Sequence, residues 1–249
     1  MKYLPEFADA KIDFIPTNAK GGETVDDPDF VYVGVGRGEF DEHKGDIGEC
    51  ATSLVYTHVK EKVSLEPKEV AALDKLVAWV LEEDMGRLSA LPLRQFSIPS
   101  IIQGQYRVSK RDSHKVAELT LTILDAVFDS LKELVNLEKD WENRIEFDSR
   151  FGKAVAIETG ARDIDSYAYI RGFDLAVYVN RQHDYFNVRA RADAENVDLS
   201  SVYDRLKELE PQAGWYIHHS KKMLICGGDL EPGAVLSKLR LDELIDTLR

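Results

Sequence analysis

Cysteine is scarce in this chain, with two among 249 residues. Cys50 and Cys226 stand singly in the apolar runs ECATSLV and MLICGG, which argues against a disulfide framework or a cysteine-based zinc site. Two buried free thiols in a reducing compartment are expected. Positive charge is also in deficit: 45 Asp and Glu face 32 Lys and Arg, a net charge of −13 at pH 7. Such a surface field disfavours non-specific grip on a phosphate backbone, where counterion release needs clustered cations. No stretch approaches the roughly 20 apolar residues of a membrane span, and MKYLPEFADAKIDF holds no apolar run of signal-peptide length. A cytoplasmic protein with no membrane contact is the expectation. G-x-S-x-G, the P-loop and H-E-x-x-H are all missing.

What is present is enough apolar residue for a real core, in one large or two modest domains. KIDFIPT (11–17) and DFVYVGVG (29–36) read as strands, and ECATSLVYTHVKEKV as a helix with Ala51, Leu54, Val55, His58 and Val59 on one stripe. The clearest helix is EPKEVAALDKLVAWVLEEDMG, with Pro67 in the first turn and Gly86 as its stop. Residues 87–111 read as irregular, and a second long helix runs from Asp112 or Ser113 to about 140. Beyond it the period shortens. KAVAIE, FDLAVYVN, YFNVRARA, GWYIHH and KMLICGG are strand candidates, interrupted by one helix that Asp198 caps and that turns Leu199, Val202, Leu206 and Leu209 inward. A last helix ends the chain. The layout is α/β: an N-terminal α/β domain with a parallel sheet (1–148) and a smaller α+β domain (149–249).

The stretch VGVGRGEFDEHKG (33–45) carries the densest chemistry. A dinucleotide loop fails on spacing, because the third glycine of G-x-G-x-x-G falls on Glu39. A metal site does better: Asp41, Glu42 and His43 offer hard oxygens and an imidazole, a mix suited to manganese or zinc. On an extended segment only Asp41 and His43 would share a side. The ordinary alternative is a solvated turn between strand and helix.

A strand of type VYVGVG, a charged triplet and the small-residue helix GECATSLVYTHV together resemble the DHH phosphoesterase superfamily. The nearer likeness is to the melanocyte-proliferating-gene family, described as metal-dependent protein hydrolases. Asp41-Glu42-His43 takes the place of that family's DHH triplet, and Asp84-Met85-Gly86 that of its later Asp-Asn-Gly. RDSHKVAELTLTILDAV and GWYIHHSKKMLICGGDLEPGAVL are similar to its long helix and its C-terminal pattern. The resemblance implies metal ligation by Asp41, Glu42 and Asp84, with His43 catalytic. Tyr32 stands where the family has a metal-bridging aspartate, and Glu42 where it has a histidine. The family's histidine- and aspartate-rich opening loop has no counterpart in MKYLPEFADAKIDF. A two-metal centre needs more donors than this. The expectation is therefore weak manganese binding with catalysis weak or lost. Otherwise the missing ligands come from a partner chain or from upstream residues.

In YFNVRARA, Asn187, Arg189 and Arg191 alternate with Phe186, Val188 and Ala190, so the arginines could meet a phosphate or pair with local acids. His218 and His219 place imidazoles near the Gly227-Gly228 turn, which leads into a helix start whose N–H groups could bind an anion; the ordinary alternative for the two histidines is an edge strand, one ring in and one out. By the resemblance, Arg189, Arg191, His218, Gly227 and Gly228 would face the metal set across an interdomain cleft. The substrate would be a phosphoester, a small phosphorylated ligand or a short nucleic acid. The competing reading is a non-catalytic relative that binds a ligand or a protein. Oligomer formation is compatible with both.

Overall fold

The computed structural model describes residues 3–15, 27–43, 48–180, 185–195, 197–228 and 233–249. The protein is mixed α/β, with seven α-helices and a six-stranded sheet among the described residues. It divides into two compact units, Met1–Lys132 and Glu133–Arg249, inside one long helix. The boundary expected near residue 148 falls within a strand, Ile145–Ser149.

The first unit is helical. α1 (Ala51–Lys62) packs on α2 (Pro67–Asp84), followed by α3 (Ile98–Val108) and α4 (Ser113–Asp140), whose end enters the second unit. Pro67 opens α2 where its missing N–H is no loss, and Gly86 follows the helix at φ +71°. α3 lies inside the stretch read as irregular; its proline sits in the first turn, where it starts a helix instead of breaking one. An apolar recess of about 550 Å³ lies among these helices, lined by Val55, Tyr56, Leu76, Val80, Ile98 and Ile102 with others. None of the Asp41, Glu42, His43 and Asp84 set lines it.

The expected N-terminal parallel sheet is not among the described residues. Residues 11–15 form no strand, and residues 16 and 17 lie outside the described set. The run 29–36 makes one parallel bridge, Val33 to Phe40. Phe30, Val31 and Val33 stay exposed. A β-prone run becomes a strand only beside a second one, and none stands there among the described residues.

The second unit holds the whole sheet: β1 (Ile145–Ser149), β2 (Gly152–Glu158), β3 (Leu175–Asn180), β4 (Tyr185–Ala190), β5 (Trp215–Ile217) and β6 (Met223–Gly227), in the order β1-β2-β3-β4-β6-β5. Only β2 and β3 pair in parallel, joined across α5 (Ile164–Ile170); the other pairs are antiparallel. β3 is buried at every position, as a central strand covered on both faces must be. One face packs Ala156, Val177, Val188 and Leu224 against Val202 and Leu206 of α6 (Ser200–Leu209) and Leu244 of α7 (Leu241–Asp246). The other packs Val155, Ile157, Ala176 and Tyr178 against Leu137, Trp141, Ile164 and Ala168. Leu209 does not face in: it is 43% exposed in the last turn of α6. Both cysteines are free and buried. No described helix is long and apolar enough to cross a membrane.

Candidate metal centre

The loop that carries the triplet is closed by its own backbone. The Gly34 amide donates to the Phe40 carbonyl at 2.8 Å, and Gly34, Gly36 and Arg37 adopt positive φ. The glycines thus supply the left-handed turns of a tight loop, and α1 opens only at Ala51, so no helix starts beneath a phosphate here. Phe40 is buried and meets the His58 ring edge-to-face at 5.1 Å, while His58 Nδ1 lies 3.1 Å from Glu39 Oε1. His58 is a packing residue.

Turned inward beside Phe40, Asp41 is 2% exposed and organises the turn. Its Oδ2 accepts the Arg37 amide at 2.6 Å; its Oδ1 accepts the His43 amide at 3.1 Å and sits 2.7 Å from His43 Nδ1. Burial by itself raises the Asp41 carboxyl, but the hydrogen bonds from the His43 amide and ring and the Arg37 amide outweigh it and hold it below the usual carboxylate range. The hydrogen bond to Asp41, then the charge of Glu42, raises the His43 imidazole above its ordinary value, and Asp84 adds a smaller push. Asp84, exposed at the end of α2, is therefore within electrostatic reach of His43.

Asp41, Glu42 and His43 bring one ligand atom each to within 4.8 Å of one another. The extended-strand geometry that would have turned Glu42 away does not apply, because the segment is a turn. Glu42 Oε2 is buried with no hydrogen-bond partner, an open lone pair beside two other donors. Two carboxylates and an imidazole fit one hard or borderline cation, and Asp41 seated on His43 Nδ1 leaves Nε2 as the outward nitrogen. They do not fit two cations. Both Asp41 oxygens already accept backbone amides, and Tyr32 is a phenol where a bridging carboxylate would be needed.

The residues expected on the opposing wall belong to the second unit. Arg189 Nη1 bonds Asp165 Oδ2 at 2.9 Å, and Arg191 forms a two-point pair with Asp193 at 2.9 and 2.7 Å. His218 is not a strand residue with one ring in and one out. β5 ends at Ile217, and in the turn to β6 the His218 and His219 rings lie 3.9 Å apart, with His218 Nδ1 2.8 Å from Ser220 Oγ. Gly227 pairs with Tyr185, and Gly228 (φ +95°) lies so close to the Tyr185 ring that a Cβ would come within 2.8 Å of it. Close approach of that ring accounts for Gly228. The expected helix start would fall on residues outside the described set, and the described residues 233–240 are not helical.

Sequence reasoning missed Arg37, whose left-handed amide completes the Asp41 turn, and the Asp165 partner of Arg189. It also missed Asn187, which is wholly buried. The signal for Asn187 was present: it alternates in phase with Arg189 on a strand whose neighbour, β3, is apolar at nearly every position.

No family model matches the chain, and no curated protein does. Among solved structures, the chain is similar to a DHH domain from a member of the s1p family of ribosomal proteins, at 17% identity with a TM-score of 0.36. The match covers 55% of this chain and 33% of that one. A likeness at that score carries no argument about fold or chemistry.

Proposed function

We propose that the first unit carries a single-cation site of a divergent DHH-type phosphoester hydrolase, with Asp41, Glu42 and Asp84 as metal-directed carboxylates and His43 beside the substrate. The observation that carries this reading is the buried, unpartnered Glu42 Oε2 within one 4.8 Å cluster with Asp41 and His43. A bound manganese would supply Lewis-acid polarisation of a phosphoryl oxygen. Asp41 fixes the His43 ring through Nδ1, and a charged His43 offers a hydrogen bond to a phosphate oxygen from Nε2. The substrate class is a small phosphorylated ligand such as a nucleotide, or a short nucleic acid. A reaction through paired metals lacks donors, so turnover is weak.

A non-catalytic, ligand-binding relative is the second reading. It is favoured by the way Asp41 spends its lone pairs on the Arg37 and His43 amides, as a structural turn residue does. Calorimetric titration with manganese, beside turnover of a nitrophenyl phosphodiester, separates the two. One ion bound with slow, manganese-dependent turnover supports the hydrolase. One ion bound with no turnover supports the ligand-binding relative, and no binding at millimolar manganese removes the metal site.

A further inference from the structure

Four helices wall the apolar recess of the first unit: Val55 and Val59 come from α1, Leu76 and Val80 from α2, Ile102 from α3 and Leu124 from α4. At about 550 Å³ it has the volume of a binding site and not of a packing defect. Three polar residues in its wall already have partners. The Tyr56 hydroxyl lies 3.1 Å from the Val70 carbonyl and 2.9 Å from Asp74 Oδ1, the Thr120 hydroxyl donates to the Val116 carbonyl at 2.7 Å, and Glu83 is held by Arg94. What the wall has left to offer is apolar contact.

α3 carries no buried residue along its whole length. Ile102 and Gln103 line the recess; one turn on, Tyr106 continues their stripe at 37% exposure, and Arg107 stands four residues past Gln103. Lys110 and Arg111 then fold back on the helix end, where the Lys110 amide donates to the Arg107 carbonyl at 3.3 Å and the Arg111 amide to the Tyr106 carbonyl at 2.8 Å. Arg107, Lys110 and Arg111 are exposed, and none has an ion-pair partner among the described residues. The stretch 87–111 holds these three with Arg87 and Arg94 and contains neither Asp nor Glu, in a chain whose net charge is −13.

An apolar recess beside unpaired positive charge suits an occupant that is apolar on one side and acidic on the other. The walls are helices with their backbone bonds already made, so a strand laid there would leave its own N–H and C=O groups unmatched, whereas a helix brings its bonds with it. A flat bilayer surface leaves a concave recess unfilled. A second copy meeting this face by two-fold symmetry would set Arg107, Lys110 and Arg111 against their own kind.

We propose that this recess docks an acidic amphipathic helix of a partner protein, its apolar stripe seated on Leu76, Val80 and Ile102 and its carboxylates meeting Arg107, Lys110 and Arg111. None of Asp41, Glu42, His43 and Asp84 lines the recess, so the docking face is independent of the metal reading.

The test uses the full chain and a synthetic amphipathic helix of Glu, Ala and Leu, about 20 residues long, beside a twin with Lys in place of Glu. Fluorescence anisotropy of the labelled peptides gives affinity. Tryptophan emission gives location, because Trp79 lines the recess while Trp141 and Trp215 are buried in the core of the second unit. The Glu peptide is expected to bind, to shift the emission and to weaken with added salt, and the Lys twin is expected not to bind. Ile102→Glu, which puts an acid in the wall, and the pair Arg107→Glu with Lys110→Glu should each weaken the Glu peptide about tenfold or more. The exposed pair has no protein partner to lose and carries the test if Ile102→Glu does not fold. No binding at millimolar peptide, equal affinity for the two peptides, or wild-type affinity in both variants would each overturn the proposal. A dimer in light scattering that these variants dissolve, or binding to phosphatidylserine vesicles without peptide binding, would give the recess to another occupant and overturn it as well.

Discussion

Asp41 holds His43 twice, accepting its amide at 3.1 Å and meeting its ring Nδ1 at 2.7 Å from the same oxygen. The ring itself is 65% exposed, so its orientation is set by this one carboxylate and not by packing. Removing the charge of Asp41 should therefore release both position and proton.

His43 should titrate above 6.5 in the wild-type chain, and Asp41→Asn should bring it back toward that value; ring-proton NMR against pH reads both. The sign of the linkage follows. His43 is raised, so its stabilisation is complete below its unfolded pKa and lost as pH rises through the folded one. Asp41 is lowered from 3.8, so its stabilisation is complete above that value and lost as pH falls through the folded one. The pair contributes most between the two. An unchanged His43 titration in Asp41→Asn would break the link.

Glu42→Gln should weaken manganese while leaving the unfolding temperature unchanged, because Glu42 Oε2 has no protein hydrogen bond to lose. Loss of one charged ligand is expected to cost about tenfold or more in affinity. Calorimetry and thermal unfolding on the same sample decide it, and equal affinity in the two proteins would remove Glu42 from the ligand set.

Asp41, Glu42 and His43 were legible in the sequence because three ionisable side chains in a row, flanked by glycines, are conspicuous. Their geometry was not, since it depends on Arg37 and Gly34 taking left-handed backbone that the pattern only hints at. The same contrast runs through the fold. α2, α4 and α6 are visible from apolar spacing alone, whereas α3 hides behind a proline that usually signals a break. β1 hides because an edge strand, Ile-Glu-Phe-Asp-Ser, needs apolar residues on one face only. α5, with seven residues, is too short to show a period. The run 29–36 fails in the opposite direction: its local preference is for strand, and the tertiary partner is missing among the described residues.

Gly152 opens β2 at φ +113°, and a Cβ there would come 2.4 Å from Asp174 Oδ2. That carboxylate accepts the Lys153 amide at 3.0 Å, while the Asp174 amide donates to the Lys153 carbonyl at 2.7 Å. Gly152→Ala has to strain the backbone and push Asp174 off this double contact at once. A loss of about 1–3 kcal/mol in denaturant unfolding is expected. Asp174→Ala in the same background should recover part of it by clearing the space, and full additivity of the two changes would argue against the contact.

Asp198 precedes α6 and accepts the Ser200 amide at 2.8 Å and the Lys221 ammonium at 2.9 Å, tying the helix start to the turn before β6. Hydrogen bonds from the Ser200 hydroxyl, Lys221 and the Ser200 amide pull its carboxyl down to about 2. A lowered carboxylate contributes above its unfolded value of 3.8 and loses that contribution as pH falls toward 2. Asp198→Asn should therefore flatten the stability profile over that interval and change it little near neutrality beyond a constant offset. Denaturant midpoints measured across the interval give the answer, and parallel profiles in the two proteins would deny Asp198 any linked proton.

Leu206 and Leu209 sit three residues apart on α6 and look equivalent by apolar spacing, yet Leu206 is 0% exposed and Leu209 is 43% exposed. The helix ends at Leu209 and the backbone leaves helical geometry at Glu210, and Leu209 is absent from the buried cluster that holds Leu206. Leu206 packs in the cluster with Val202, Trp215 and Leu224, where truncation leaves a cavity that close-packed neighbours only partly fill. Leu206→Ala should cost about 2–5 kcal/mol in unfolding, and Leu209→Ala within about 0.5 kcal/mol of nothing. Equal losses would mean that α6 lies on the sheet in a different rotation, and with it the packing of the whole face that α6 and α7 share.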